Sequence, residues 1–333
     1  VVFLVALPLC LGIALASGAP PLSGIIAGII GGLVIGFLSN SHISVSGPAA
    51  GLAAIVLVGI SDLGSFELFL VAGIIAGIIQ LILGFVRAGS ISNYFPNNVI
   101  EGMLAGIGVI IILKQIPHAV GYDKDFEGNQ RIFDGFNLTE YVTNLSNAIS
   151  PGAIVITLVS LGILLTWEKI PALKKIKMLP GALVAVAVGI LLNEVFKGSS
   201  LEIAKEHLVT LPVPESAEDF KNLITFPDFT GFMNPKVWIL GATIAIVASI
   251  ETLLCIEASD RMDAHKRITD TNLELKAQGI GNLISAMIGG LPMTSVVVRS
   301  SANANAGATS KTSAIIHGIF MLICVLTIPF LLN

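Results

Sequence analysis

Charge is what this sequence has least of. Asp, Glu, Lys and Arg make up 12% of its 333 residues, against about 25% in a soluble globular domain. Hydrophobic residues are 54%, and mean hydropathy is +0.89. A surface built from so few charges cannot be mostly wet. A string of soluble domains is excluded, and one large helical membrane domain is indicated. Cysteine is scarce too. Cys10, Cys255 and Cys324 all fall in apolar runs, too scattered for a disulfide framework or a metal-ligand spacing. They read as small packing residues. The five histidines are scattered, and no HExxH, GxSxG or phosphate-binding glycine loop occurs. No catalytic residue, cofactor or bound metal is expected. The mild net charge of −4 implies no nucleic-acid partner.

Glycine, by contrast, is abundant: 34 residues, many inside the apolar runs. Small residues let helix backbones approach closely in lipid. A span needs roughly 20 apolar residues. Runs that qualify or nearly so cover 1–18, 22–38, 47–61, 66–86, 98–116, 151–167, 180–196, 237–258, 274–290 and 310–331. The first has no starting Met and no basic lead, and a second apolar run follows at once, so it reads as a transmembrane helix whose lead-in is missing rather than as a signal peptide. Two polar, acidic stretches, 118–150 and 198–236, read as external loops. The first holds two matches to the glycosylation pattern, at Asn137 and Asn144. Basic residues gather on the other connections: Arg87, Lys169, Lys174, Lys175, Lys177, Arg261, Lys266, Arg267, Lys276 and Lys311. The positive-inside bias makes those cytoplasmic.

Two segments break the pattern of plain spans. HISVSGPAAGLAA, from His42, and SVVVRSSANANA, from Ser295, each run from a β-branched stretch into small residues that can start a helix. Inside a membrane, the first turn of such a half-helix leaves N–H groups free at the positive end of the dipole, which is an anion site. Broken segments are tolerated only where protein or a cavity covers them. The alternative reading is two loops between ordinary spans. Counting 295–308 as a broken crossing gives eleven segments. Glu251 lies in the middle of ILGATIAIVASIETLLC. An acid at that depth is unfavourable unless paired or solvated, so it is a functional candidate. Arg299 stands at the start of the second half-helix, where it either attracts an anion or pairs with Glu251. Glu257, Asp260, Asp263 and Glu274 are expected at the cytoplasmic face.

These residues resemble a known family. LVALPLCLGIALASGAPPLSGIIAGIIGG, VSGPAAGLA and IEGMLAGIGVIIILKQIPHAVG are similar to the opening, third-helix and fifth-helix sequences of the SulP sulfate permeases, solute carrier family 26 in animals. The stretch from Ser249 to Gly318 resembles their helices eight to eleven almost without a gap.

The resemblance implies an all-α polytopic membrane protein, with two inverted seven-segment repeats in core and gate domains. Here it would be truncated to about eleven segments: 1–196 as the first repeat, 197–236 as an external loop and 237–333 as the start of the second. The family's C-terminal STAS domain would be absent. The resemblance also implies secondary transport of a small inorganic anion, sulfate first, in a multi-pass bacterial inner-membrane protein acting as a homodimer. Bicarbonate with sodium, or chloride or dicarboxylate exchange, are the alternatives. Residue by residue, it places Ser46, Gly47 and Ala49 on the helix-three side of the anion and Ser295, Val296 and Arg299 on the helix-ten side. It assigns coupling to Glu251, with Cys255 one turn on lining the site. In the family's sodium-coupled bicarbonate carriers those two positions are Asp and a hydroxyl. Cysteine is a poor ligand for a hard cation, so a proton is the expected coupling ion and sodium the lesser one.

Overall fold

The computed structural model of the chain describes residues 2–90, 150–167, 181–199, 201–203 and 224–327, with residue 169 and scattered positions between 102 and 121. Most of the expected span at 98–116, of the connection at 168–178 and of the two long loops, and both glycosylation patterns, lie outside the described residues. The remaining expected spans are helices. They are α1 (Val2–Ala16), α2 (Pro21–Ile30), α3 (Ala50–Leu63), α4 (Phe66–Phe85), α5 (Pro151–Trp167), α6 (Gly181–Phe196), α7 (Pro235–Met262), α8 (Thr271–Met287), α9 (Val297–Asn305) and α10 (Thr312–Thr327). A π-helical stretch, Gly31–Ile35, and a last turn, Gly36–Leu38, prolong α2. Among the described residues, three helical stretches are long and apolar enough to cross a membrane: Pro21–Leu38, Phe66–Phe85 and Pro235–Met262. The other apolar helices are shorter.

Packing divides the chain into two compact units. In the one covering 109–210, α5 and α6 meet where Gly189 rests against Ile156. In the other, glycine sets how closely the helices cross. A β-carbon on Gly77 of α4 would stand 2.8 Å from the Gly279 carbonyl of α8, and one on Gly279 would stand 2.8 Å from the Gly77 carbonyl. Those helices touch backbone to backbone. Gly32 and Gly318 do the same for the π-helical stretch and α10. The abundance of glycine in the apolar runs therefore has the close-packing cause that the sequence suggested. Phe69, Leu70, Ile75, Ile244 and Leu275 fill the buried space around the α4 crossings.

The all-helical expectation has one exception. Ser46–Pro48 (β1) and Met293–Ser295 (β2) form a two-stranded antiparallel sheet, with Ser46 opposite Ser295, Gly47 opposite Thr294 and Pro48 opposite Met293. Each strand leads directly into a short helix, α3 and α9. The segments that read as β-branched lead-ins are thus strands paired with each other, and they set the two helix starts side by side.

Candidate functional site

Some of the described helix starts carry a side-chain cap and others, α2, α3 and α9 among them, do not. Ser65, Asn234 and Asp270 cap α4, α7 and α8, their side chains accepting from Leu68, Lys236 and Asn272 N–H groups respectively. Those are ordinary N-caps. The starts of α3 and α9 have Ala49 and Val296 at the cap position, both extended and neither offering a side-chain bond. Their first turns therefore depend on other partners for the free N–H groups. The Val297 N–H lies near the Cys255 sulfur, and the Ser295 N–H donates to Thr252 Oγ1 at 3.4 Å. Cys255 and Thr252 both belong to α7, which also carries Glu251, so that helix lies along the strand-to-α9 junction.

The two candidate charges flank one short segment without meeting. Glu251 is 9% exposed, and its Oε2 has no hydrogen-bond partner. It lies against Gly51 in the first turn of α3, where a β-carbon would be 2.7 Å from either carboxylate oxygen. Arg299 is wholly buried and lies against Gly47, where a β-carbon would collide with its guanidinium. Its Nη2 donates to Cys10 Sγ at 3.3 Å, while Nε and Nη1 are unpartnered. No ion pair links Glu251 and Arg299. Of the two roles open to Arg299 in the sequence, pairing with Glu251 is thus not realised. A buried cation without a counter-charge is unfavourable by several kcal/mol on the order of other buried ions. His317 of α10, with both ring nitrogens unpartnered, lies within the field of the guanidinium.

The expected site residues converge. Ser46, Gly47 and Ala49 lie on β1 and the start of α3, and Ser295, Val296 and Arg299 on β2 and the start of α9. Glu251 and Cys255 face the two starts from α7. The hydroxyls of Ser46 and Ser295 are engaged within the protein: Gln278 Nε2 donates to Ser46 at 2.7 Å, and Ser44 bonds to Ser295. The Val296 N–H donates to the Val45 carbonyl at 3.0 Å.

Several contributors escape a reading of the sequence. Thr252, next to Glu251 in α7, turns its hydroxyl to the Ser295 N–H of β2. Ser300 and Asn303 of α9 strap the lead-in to β1, binding Val45 N–H at 3.0 Å and the Ile43 carbonyl at 2.9 Å. On α8, Glu274, Gln278 and Asn282 form a buried polar stripe at four-residue spacing. Asn282 grips Met293 of β2 through both backbone groups, at 3.0 and 2.6 Å, and is tied to Gln80 of α4 at 2.7 Å. Four-residue recurrence of polar residues along an apolar helix is the signal that could have found them. Glu274, expected at the cytoplasmic face, is instead fully enclosed. Asp263 does stay outside the apolar run. Arg267 donates to its two oxygens at 2.7 and 2.9 Å, and this guanidinium holds the Asp263 carboxyl well below the usual carboxylate range.

Comparison with known proteins places this arrangement. The model of the sulfate permease family matches residues 1–333. "Putative sulfate transporter YvdB" of Bacillus subtilis (strain 168) is 30% identical over 98% of this chain and 58% of its own length. "Bicarbonate transporter BicA" of Picosynechococcus is 24% identical over 97% of this chain and 55% of its own length. The chain thus spans little more than half the length of these relatives. Among solved structures, the transmembrane domain of a cyanobacterial bicarbonate transporter BicA superimposes with a TM-score of 0.78 at 21% identity, covering 99% of this chain and 81% of that one. SLC26A9 does so at 0.75 and 16%, covering 98% and 52%. These structures share the fold, and with the family model matching from end to end, the chain belongs to the sulfate permease family.

Proposed function

We propose that this chain is the anion-binding membrane core of a secondary active transporter, with sulfate as its first substrate and a proton as the coupling ion. The observation that carries the reading is the β1–β2 pair. It sets two helix starts without side-chain caps beside each other, next to a buried arginine with free donors. An oxyanion, rich in acceptors, is the ligand that complements the positive ends of two helices and a buried guanidinium. The anion sits between the starts of α3 and α9, approached by Ser46, Gly47, Ala49, Ser295 and Val296, with Arg299 supplying positive charge. Glu251 carries the proton. In the full-length protein the eleven segments seen in the sequence belong to an inverted seven-plus-seven repeat. That protein works as a homodimer in a bacterial inner membrane with a C-terminal STAS domain.

A second reading is bicarbonate. Glu251 Oε2 is an unpartnered acceptor, and bicarbonate, unlike sulfate, has an O–H to give it. The name of the Picosynechococcus relative points the same way. Thr252 supplies an oxygen near Glu251 that would also suit sodium. Uptake of radiolabelled sulfate, bicarbonate and chloride by the full-length protein in proteoliposomes separates these substrates. Ser295→Trp, which fills the space between the helix starts, is expected to abolish uptake while the protein still reaches the membrane. Unchanged substrate affinity in that variant would remove the opposed-helix site.

A further inference from the structure

Gln278 stands near the middle of α8, fully buried, with its amide nitrogen between two oxygens: Glu274 Oε1 at 3.0 Å and Ser46 Oγ at 2.7 Å. The partners of an amide decide which end points where. Glu274 decides here. The Ser39 hydroxyl bonds to its other oxygen, Oε2, while the Ser39 oxygen also accepts the Ser41 N–H at 3.0 Å. With Oε2 engaged by Ser39, Oε1 is the acceptor left for Gln278, whether the carboxyl is ionised or carries its proton on Oε2. Gln278 must therefore turn its NH2 group toward Glu274, and that same group meets Ser46. The Ser46 oxygen is an acceptor in this bond. Its own proton has no acceptor among the described residues, and Gln278 Oε1 has no partner either.

We propose that Gln278, oriented by Glu274, is a positioning residue that makes Ser46 a hydrogen-bond donor to the transported anion. With Gln278 donating, the Ser46 proton is left for the ligand. An O–H donated to an anion is a charge-assisted bond, about twice as strong as a neutral one. Were the amide reversed, Ser46 would give its proton to Gln278 Oε1 and present only lone pairs to the anion. Glu274 prevents that reversal. Neither Glu274 nor Gln278 need touch the substrate. The inference rests on the anion-site reading above, and it names the group that gives that site its donor on the α3 side.

The test is a double-mutant cycle on the full-length protein in proteoliposomes, read as KM and maximal rate for sulfate, bicarbonate and chloride separately. Ser46→Ala and Gln278→Leu are each expected to raise KM by roughly tenfold, the size of one bond to a charged group, with maximal rate within about twofold. The Ser46→Ala/Gln278→Leu double variant is expected to match the worse single one, because both remove the same bond. Should Gln278→Leu fail to reach the membrane, Glu274→Gln takes its place. It keeps the shape, releases the amide to turn, and is expected to raise KM in the Ser46 background but not in the Ser46→Ala background. Additive effects would mean that α8 acts on the fold rather than through Ser46, and would overturn the inference while leaving the anion site intact. An unchanged KM in Ser46→Ala would overturn the inference and take the anion away from Ser46. Transport of none of the three anions by the unaltered protein would overturn both.

Discussion

Glu251 lies flat against Gly51, the residue at which α3 begins its first turn, and only the absence of a side chain there makes room for the carboxylate. A β-carbon at Gly51 would be 2.7 Å from both oxygens, closer than carbon and oxygen can stand. The atoms in the way are the end of a flexible side chain, so the carboxylate is what gives when that space is filled. Gly51→Ala is therefore expected to displace the carboxylate or the helix start, and to reduce uptake by about tenfold or more, since small misplacements at a reacting centre are costly. Uptake by Gly51→Ala equal to the unaltered protein would show that the carboxylate is not held there.

Gly47 and Arg299 stand in the same relation on the other side of the segment. The guanidinium occupies the place of the missing side chain. Gly47→Ala is expected to push the guanidinium aside, and Arg299→Lys to keep charge while losing the planar reach. Both should weaken anion affinity. Arg299→Met should weaken it most, because it removes the only charge among the unpartnered donors. Isothermal binding of sulfate to the detergent-solubilised protein measures all three. Equal affinity in Arg299→Met and the unaltered protein would make the arginine structural.

Much of this site was legible in the sequence, and the reason is local. A membrane acid, a membrane arginine and a β-branched stretch running into small residues each stand out against apolar neighbours. What was not legible is long-range. The pairing of Ser46 with Ser295 is a register between segments at opposite ends of the chain, and no residue in either announces its partner. The same holds for Gln278 and Asn282, whose meaning appears only when β1 and β2 are laid along α8. Glu274 was misplaced for a related reason. It lies in the first turn of a helix, where an acid is ordinarily a surface residue favoured by the dipole, and only the fold reveals that Ser39 and Gln278 enclose it.

Orientation follows from the distribution of lysine and arginine, and α7 offers a direct check. It runs from Pro235 to Met262 and is long enough to cross, so its ends lie on opposite sides. On the positive-inside assignment, a Lys236→Cys protein should react with an impermeant maleimide in intact cells, while His265→Cys should react only after permeabilisation. The reverse pattern would invert the whole topology.

The connection after α7 has its own pH dependence. Arg267 binds Asp263 and also the Thr309 carbonyl at 2.9 Å, so it joins this turn to the α9–α10 connection. Because the folded-state pKa of Asp263 is depressed, its contribution is fully present above the unfolded value of about 4. It is lost as pH falls below that toward the folded value. Asp263→Asn is therefore expected to lower the melting temperature of the full-length protein at neutral pH, and the gap should close progressively below about pH 4. A gap that stays constant through that acid range would assign the effect to packing instead.

Two features of the structure bear on Glu251 as the proposed carrier of the coupling proton. Arg299 does not pair with it, its Nη2 being turned to Cys10 instead. Oε2 has no partner, so a proton there meets no competing donor. A proton taken up from the outside would remove a negative charge from the path of the anion, so the two enter together, and release of both inside resets the carrier. Uptake in proteoliposomes is expected to rise with an inward proton gradient and not with an inward sodium gradient. Glu251→Gln, which imitates the protonated acid, is expected to lose concentrative uptake and to keep anion exchange. Concentrative, proton-driven uptake in Glu251→Gln would rule out this mechanism, and a strict sodium requirement would move the assignment to bicarbonate with Thr252 among the sodium ligands.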